Sequence, residues 1–488
     1  MVKKNLLMAL AIISSVYADD LQSDSDVNFS HNVPTVNTNE MVMFPGTFIQ
    51  NPYSSAQSGG GFNFNYAATE SHGFWERLFH DGTYNIYSGA QASKGSQDIA
   101  NANGVINNSY AYGATGFAQT GRVAGFSVGG AVTVMNPFFA GNLNGSNVNS
   151  GLLTPTDQQI ALTQAFGEYQ YKNIIGVDVG YIAINDSPWL SGSYFNTNIS
   201  VPMTYQGALV NAYVGDGWLL TGLAFNAVQS SGQNSFTGET LLNSKYGLNY
   251  LSNDASSNGT IALGANYSAW DNNYNLRLWA YQFDNYGTLL YGDSSVNVPL
   301  NKSVALNFAG QFGVDNNFGA STAYANAPLL SSSNISSYFA GLQLGLTVDW
   351  VDFILAGNSI WGNSNSIGGG SIVSPYTANL GSDPLYAEGW ITNMVNQGLT
   401  GNSYKASVNM NFLNNDLQFS PGYMTLENTN LSYMNGTKEA FITITYSIPQ
   451  VKGLSIFGSF ANQWVPSSAS DVGLKNNWSS QLLTTYLW

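Results

Sequence analysis

The chain closes on Ser-Ser-Gln-Leu-Leu-Thr-Thr-Tyr-Leu-Trp, residues 479–488. Taking every second residue back from the terminus gives Trp488, Tyr486, Thr484 and Leu482 on one face of an extended strand. A half-apolar strand at the end of a chain presents a row of unpaired N–H and C=O groups, which is an aggregation hazard. Pairing the last strand with the first abolishes that edge, and this predicts a sheet closed on itself, with Tyr486 and Trp488 at the closure. A terminal strand in an open soluble sheet would alternate in the same way, so the rest of the chain has to discriminate.

Several internal segments share the two-residue period. In Lys438–Ile448, Ala440, Ile442, Ile444, Tyr446 and Ile448 oppose Thr443, Thr445 and Ser447. In Ser403–Phe412, Tyr404, Ala406, Val408, Met410 and Phe412 oppose Lys405, Ser407, Asn409 and Asn411. The connections alternate in length. Short turns are expected near Thr120–Arg122, Lys172–Asn173, Gly215–Asp216, Asp271–Asn273, Pro299–Asn301, Asp349–Trp350, Leu413–Asn415 and Pro449–Lys452. Longer polar segments lie between them, except at Asp284–Tyr286. Short turns on one side and long loops on the other are the topology of membrane barrels. The count predicts an all-β fold, a transmembrane antiparallel barrel of about eighteen strands.

Composition supports a lipid-facing sheet. Charged residues make up 8% of the 488 positions, against roughly a quarter in soluble domains. Tyr (29), Phe (26) and Trp (11) are abundant, as interfacial girdles require. From Asn316 to Val348 the chain carries no charge, yet Asn, Ser, Gly and Pro328 interrupt it too often for a spanning helix. With a net charge of −15 there is no basic footprint for nucleic acid.

The amino terminus reads as an export signal. Lys3 and Lys4 precede an apolar run from Leu6 to Val16 and a small-residue site at Val16-Tyr17-Ala18, which predicts cleavage near Ala18. The absence of cysteine excludes a lipoprotein anchor, disulfides and thiolate metal sites. The expected organisation is a signal peptide at 1–18, then an extension at 19–81. That extension is partly disordered and ends in a short amphipathic helix, Phe74-Trp75-Glu76-Arg77-Leu78-Phe79. The barrel follows at 82–488. A lumenal plug is a second reading of the extension.

The order of segments resembles the OprD-like porins, the Opr-family branch of bacterial outer-membrane porins. The resemblance runs from about Gly73 to Trp488 as a spaced pattern. It rests on the helix-then-strand start at Phe74–Ser93, on Glu168-Tyr169-Gln170-Tyr171-Lys172-Asn173 and on Ile184-Asn185-Asp186-Ser187-Pro188. It also rests on Asn275-Leu276-Arg277-Leu278-Trp279-Ala280-Tyr281, on Leu289-Leu290-Tyr291, on the Pro375–Val395 loop with Asp383-Pro384-Leu385, and on the last strand. It implies a pore of about eighteen strands with the third long loop folded inward as a constriction. The chain departs from the family's ladder of basic residues. It has three arginines, Arg77, Arg122 and Arg277, and Tyr181 follows Gly180 where relatives often carry a base. This weighs against carboxylate specificity.

A passive pore needs a polar lining and a constriction. The alternation directs Glu168, Asp178, Arg277 and Lys405 toward the lumen. Constriction and mouth candidates are Asp186, Trp189 and Tyr194 in the loop Asn185–Pro202, and Asp383, Tyr386, Glu388 and Trp390 in the loop Gly362–Gly401. Acids outnumber bases 28 to 13, which predicts a weak preference for cations. Catalysis is not expected, because His31, His72 and His80 all precede the barrel and no phosphate-binding glycine loop is present. No cofactor or metal is expected. Expected partners are outer-membrane lipid and lipopolysaccharide, small solutes and ions, and the barrel assembly machinery acting on the C-terminal strand. A homo-trimer is compatible with these features without being required by them. The competing reading is a barrel closed by its loops and acting as an adhesin or structural protein.

Overall fold

The computed structural model describes residues 75, 78–79, 82–95, 107–137, 158–171, 174–184, 187–190, 201–215, 217–230, 233–240, 257–270, 272–317, 334–377, 383–472 and 476–487. The signal segment, most of the 19–81 extension, Arg77, Asp186, Tyr194 and Trp488 lie outside these residues.

Eighteen strands form one antiparallel sheet. They are β1 (Thr83–Gly95), β2 (Asn107–Gln119), β3 (Phe126–Pro137), β4 (Gln159–Tyr171), β5 (Ile175–Ile182) and β6 (Thr204–Gly215). Next come β7 (Trp218–Gln229), β8 (Thr260–Ala269), β9 (Tyr274–Phe283), β10 (Gly287–Pro299), β11 (Val304–Asn316) and β12 (Ser336–Val348). The series ends with β13 (Val351–Gly362), β14 (Gly401–Phe412), β15 (Leu417–Glu427), β16 (Lys438–Ser447), β17 (Leu454–Trp464) and β18 (Asn477–Leu487). Each strand pairs with its sequence neighbours, and β18 pairs antiparallel with β1 from Tyr87↔Leu487 to Gly95↔Ser479, which closes the barrel. The terminal strand therefore leaves no free edge, as its alternation predicts.

Eight tight turns join even strands to the following odd ones. Several of them place glycine, asparagine or aspartate at positive φ. Gly217 has φ +84°, and a Cβ there would sit 2.0 Å from the Ser268 carbonyl oxygen. Asp349 has φ 52° in the turn between β12 and β13. The connections at the other end are longer, with the three-residue β9–β10 link as the short exception.

The outer face is apolar through its middle. Val132, Leu263, Leu278, Phe312, Leu342, Leu344, Phe353, Leu355 and Ile442 are all exposed. Aromatic belts bound this band. At the short-turn end Phe126 meets Tyr169 at 4.6 Å, Trp218 meets Tyr267 at 4.7 Å and Trp350 meets Phe412 at 4.8 Å. At the long-loop end Tyr338 stacks on Trp361 at 6.3 Å, and Tyr112, Tyr404 and Trp464 are exposed. An apolar band between two aromatic girdles is the lipid-facing surface of a membrane-spanning barrel.

A β-bulge sets which residues of β4 face inward. Pairing of β3 with β4 slips between Ala131 and Val132, so Gln164 pairs Ala131 while Leu162 pairs Val132. Thr163 and Gln164 both point in, and the Thr163 hydroxyl bonds the Ala131 carbonyl at 3.2 Å. Before the bulge Ile160 and Leu162 face out, and beyond it Tyr169 does. The single extra residue switches the face of everything after it, placing Glu168 and Gln170 inside.

Candidate functional site

Away from the strand ends, where Lys94, Glu427 and Lys438 are exposed, the charged side chains within the strands gather on the inner face. Glu168 (β4), Asp178 (β5), Asp293 (β10), Asp315 (β11), Lys405 (β14) and Glu439 (β16) are all buried there, and Arg277 (β9) shares the face of buried Trp279 and Tyr281. Placing a base on the lipid side near the midplane costs about 2–4 kcal/mol, so the alternation of each strand resolves in this sense. All four residues expected to face the lumen, Glu168, Asp178, Arg277 and Lys405, are on this inner face.

Their partners were less evident in the sequence. Arg277 is held bidentately by Asp293, its Nε donating at 2.9 and 3.1 Å and Nη2 completing the pair. The Tyr291 hydroxyl donates to the same carboxylate. Asp293 is opposite Arg277 because the three-residue β9–β10 link fixes the register. Counting outward from that link would have found it. Glu168 accepts from Arg122 Nε at 2.7 Å and also from Gln119.

Two long connections turn into the lumen. β5 ends early, and Ala183, Ile184, Ser187, Trp189 and Leu190 are buried after it, as are Val201 and Met203 before β6. Trp189 is fully buried, its ring 5.3 Å from Phe339 of β12 and 6.1 Å from Tyr291 of β10. Its backbone N–H donates to the Tyr281 hydroxyl at 3.3 Å, which also pairs with Ser187 at 2.9 Å. This loop is seated by aromatic packing.

The β13–β14 loop is seated by carboxylates. Glu439 of β16 accepts the backbone N–H groups of Trp390, Ile391 and Thr392, the last two at 2.9 and 2.7 Å. Gln463 of β17 donates to the Thr392 hydroxyl at 2.7 Å, and Val373 N–H donates to Asp315 of β11 at 2.7 Å. The Tyr386 N–H is held by the side-chain amide of Asn358 on β13. Within the loop, Glu388 accepts from Met394 N–H at 3.0 Å, and Asp383 accepts from Asn393 at 2.6 Å and Leu385 N–H at 3.0 Å. Trp390 reaches Phe457 of β17 at 5.7 Å. The two loops also touch, through the Thr377 hydroxyl on the Trp189 carbonyl.

Burial raises the pKa of Asp383 and of Glu388, and for Glu388 the neighbouring Asp383 charge raises it further. Lys405 lies within electrostatic reach of Glu388, Asp383 and Glu439. Thus Trp189, Asp383, Tyr386 and Glu388 are buried and Trp390 is half-buried, and the first loop meets the second. Tyr486, by contrast, lies on the face shared with exposed Leu482, opposite Ser88 of β1 at the closure. The sequence reading missed Glu439, the anchor of the second loop. It is the one inward acid in a strand otherwise read for its apolar face, and the logic applied to Lys405 would have singled it out.

No protein-family model matches the chain, and no curated protein matches it in sequence. Solved structures do match. OccK1 (OpdK) of Pseudomonas aeruginosa superposes with a TM-score of 0.63 at 14% identity, over 84% of this chain and 99% of that one. OccAB3 of Acinetobacter baumannii gives 0.65 at 15% identity, over 84% and 100%. OccAB1 of the same organism gives 0.66 at 12% identity, over 84% and 97%. OpdK, an outer membrane protein, has also been solved with vanillate. At such identity the likeness speaks to architecture: the chain has the eighteen-stranded barrel fold of the OprD/Occ outer-membrane porins.

Proposed function

We propose that this chain forms a water-filled channel in the bacterial outer membrane for passive diffusion of small hydrophilic solutes and ions, with a weak preference for cations. The observation that carries the reading is the division of the sheet: polar and charged side chains inside a closed eighteen-strand ring, an apolar band between aromatic belts outside. A barrel of this strand number encloses an aqueous lumen, and the two inward loops narrow it. The residues proposed to line it are Glu168, Asp178, Arg277 and Lys405, with Trp189, Asp383, Tyr386, Glu388 and Trp390 at the constriction.

Cation preference rests on the pairing of the bases. Arg277 is engaged by Asp293, and Lys405 sits among three carboxylates. Neither presents an isolated positive charge to an anion such as vanillate, the ligand solved with OpdK. Export would follow cleavage after Ala18, and assembly would proceed through β18; Asp19 as the first residue of the outer-membrane protein would verify the cleavage.

The test is single-channel recording of the detergent-folded protein in a planar bilayer, with a heat-unfolded control. Discrete steps that vanish on boiling, and a reversal potential of cationic sign under a KCl gradient, are expected. Anion preference would overturn the selectivity. Silence from a folded sample would overturn the pore in favour of a loop-closed barrel with an adhesive or structural role.

A further inference from the structure

At the short-turn end of the lumen, Glu168 and Asp178 are directly opposite one another on β4 and β5. Like charges in facing positions repel, and both side chains are buried, at 5% and 2% exposure. Among the described residues one cation, Arg122, serves this pair, and its hydrogen bonds go to one member. Arg122 donates to Glu168 through Nε at 2.7 Å and Nη2 at 2.5 Å. Gln119 and Ser127 add donors to the other Glu168 oxygen. Glu168 is saturated, whereas Oδ1 of Asp178 has no hydrogen-bond partner among the described residues.

A second, independent feature lies beside it. Gln170, two residues on from Glu168 on the same inner face, is 4% exposed and has neither its Oε1 nor its Nε2 partnered among the described residues. It is opposite Gly176, which has no side chain, so no β5 side chain stands across from the amide, one inward position along β4 from the Glu168–Asp178 pair. A buried carbonyl-type oxygen and a buried carboxylate oxygen, neither with a partner among the described residues, therefore occupy neighbouring inward positions where two acids face Arg122. Buried polar atoms of this kind are ordinarily satisfied, and a hard monovalent cation takes oxygen ligands of this type.

We infer that Asp178 and Gln170 form a binding station for a monovalent cation in the lumen, with Glu168 and Arg122 as the fixed charges beside it. The inference rests on the pore reading for its role, giving cation preference a definite place. Glu168 positions Arg122 and sets the local field, and Asp178 supplies the charge that the ion neutralises.

Thallous ion, an alkali-metal mimic with anomalous scattering, tests this in crystals of the full chain. The expected result is an anomalous peak between Asp178 Oδ1 and Gln170 Oε1 that is lost in Asp178→Asn. No peak in the wild-type barrel overturns the station. Heat-modifiable migration verifies the fold of the variant, and Gln170→Leu, which leaves both charges in place, serves if Asp178→Asn does not fold. In bilayers Asp178→Asn should lower the cation-to-anion permeability ratio at least twofold. Asp349→Asn, a turn carboxylate at the same end, should leave it unchanged. Equal loss in both variants would overturn a specific site in favour of a diffuse field. A conducting barrel without a peak keeps the pore and removes the station, whereas a peak in a folded barrel that never conducts keeps the station and removes the pore.

Discussion

The loop between β5 and β6 and the loop between β13 and β14 enter the same lumen and meet at Thr377 and Trp189, but they are held by different forces. The first is anchored by an indole packed between Phe339 and Tyr291, with the Trp189 backbone N–H on the Tyr281 hydroxyl. Apolar burial is non-directional and insensitive to salt and proton activity. The second is anchored by backbone N–H groups converging on Glu439, with Glu388 and Asp383 binding the loop to itself. Hydrogen bonds to carboxyl groups fix position sharply but respond to protonation. One loop is wedged and the other is clipped, so conditions that release the clip should leave the wedge in place.

Removing the wedge should have the largest effect. Trp189→Ala is expected to cost about 3–5 kcal/mol, as for other buried aromatic truncations. The readout is the urea midpoint followed by heat-modifiable migration. An unchanged midpoint would mean that the loop is dispensable to the barrel. Next is the clip. Glu439→Ala strands three backbone donors, each worth about 1–3 kcal/mol if left buried. The β13–β14 loop should instead release, which would show as more frequent gating transitions with a nearly unchanged urea midpoint. If the midpoint falls as far as for Trp189→Ala, the distinction between wedge and clip fails.

Acidity should separate the loops more gently. In the seated loop Asp383 and Glu388 bind protons more tightly than ordinary carboxyls, since burial raises both. The seated state therefore gains its full advantage below about pH 4, where a released loop is also protonated. That advantage is lost as pH rises through the raised values. Gating noise should grow from acid toward neutral pH in the wild type, and the trend should flatten in Glu388→Gln. Noise that falls as pH rises would invert the assignment. The smallest effect is expected at the junction of the loops. Thr377→Val removes two neutral hydrogen bonds, the one to the Trp189 carbonyl and the one accepted from Ser374, each worth about 0.5–1.5 kcal/mol; a double-mutant cycle with Trp189→Phe measures how far the wedge and the clip are coupled.

Much of this architecture was legible in residue order. Strand alternation, the eight tight turns and the closing strand are all local patterns, and they gave the number of strands because each hairpin repeats the same signal. The inward sense of Glu168, Asp178, Arg277 and Lys405 followed from the cost of a charge against hydrocarbon. What stayed hidden depends on register between strands. Asp293 became the partner of Arg277 only through the β9–β10 turn, and Glu439 acquired meaning only when a loop 48 residues earlier in sequence folded back onto it. The inward course of the β13–β14 loop had a faint signal, a long connection dense in Tyr, Trp, Leu and Met that would be out of place facing water.

The bulge at Thr163 and Gln164 has a consequence for the inheritance of this barrel. Deleting one residue there would shorten the chain by a trivial amount and leave every turn intact. It would also remove the bulge, so that Gln164 follows Leu162 in regular alternation, Glu168 and Gln170 stay inside and Tyr169 stays outside. A second single deletion, with no bulge left to absorb it, would turn Glu168 and Gln170 into acyl chains and Tyr169 into the water-facing ring. The bulge is thus a reserve of one residue, which a lineage can lose once in β4 without changing which side chains meet the lumen.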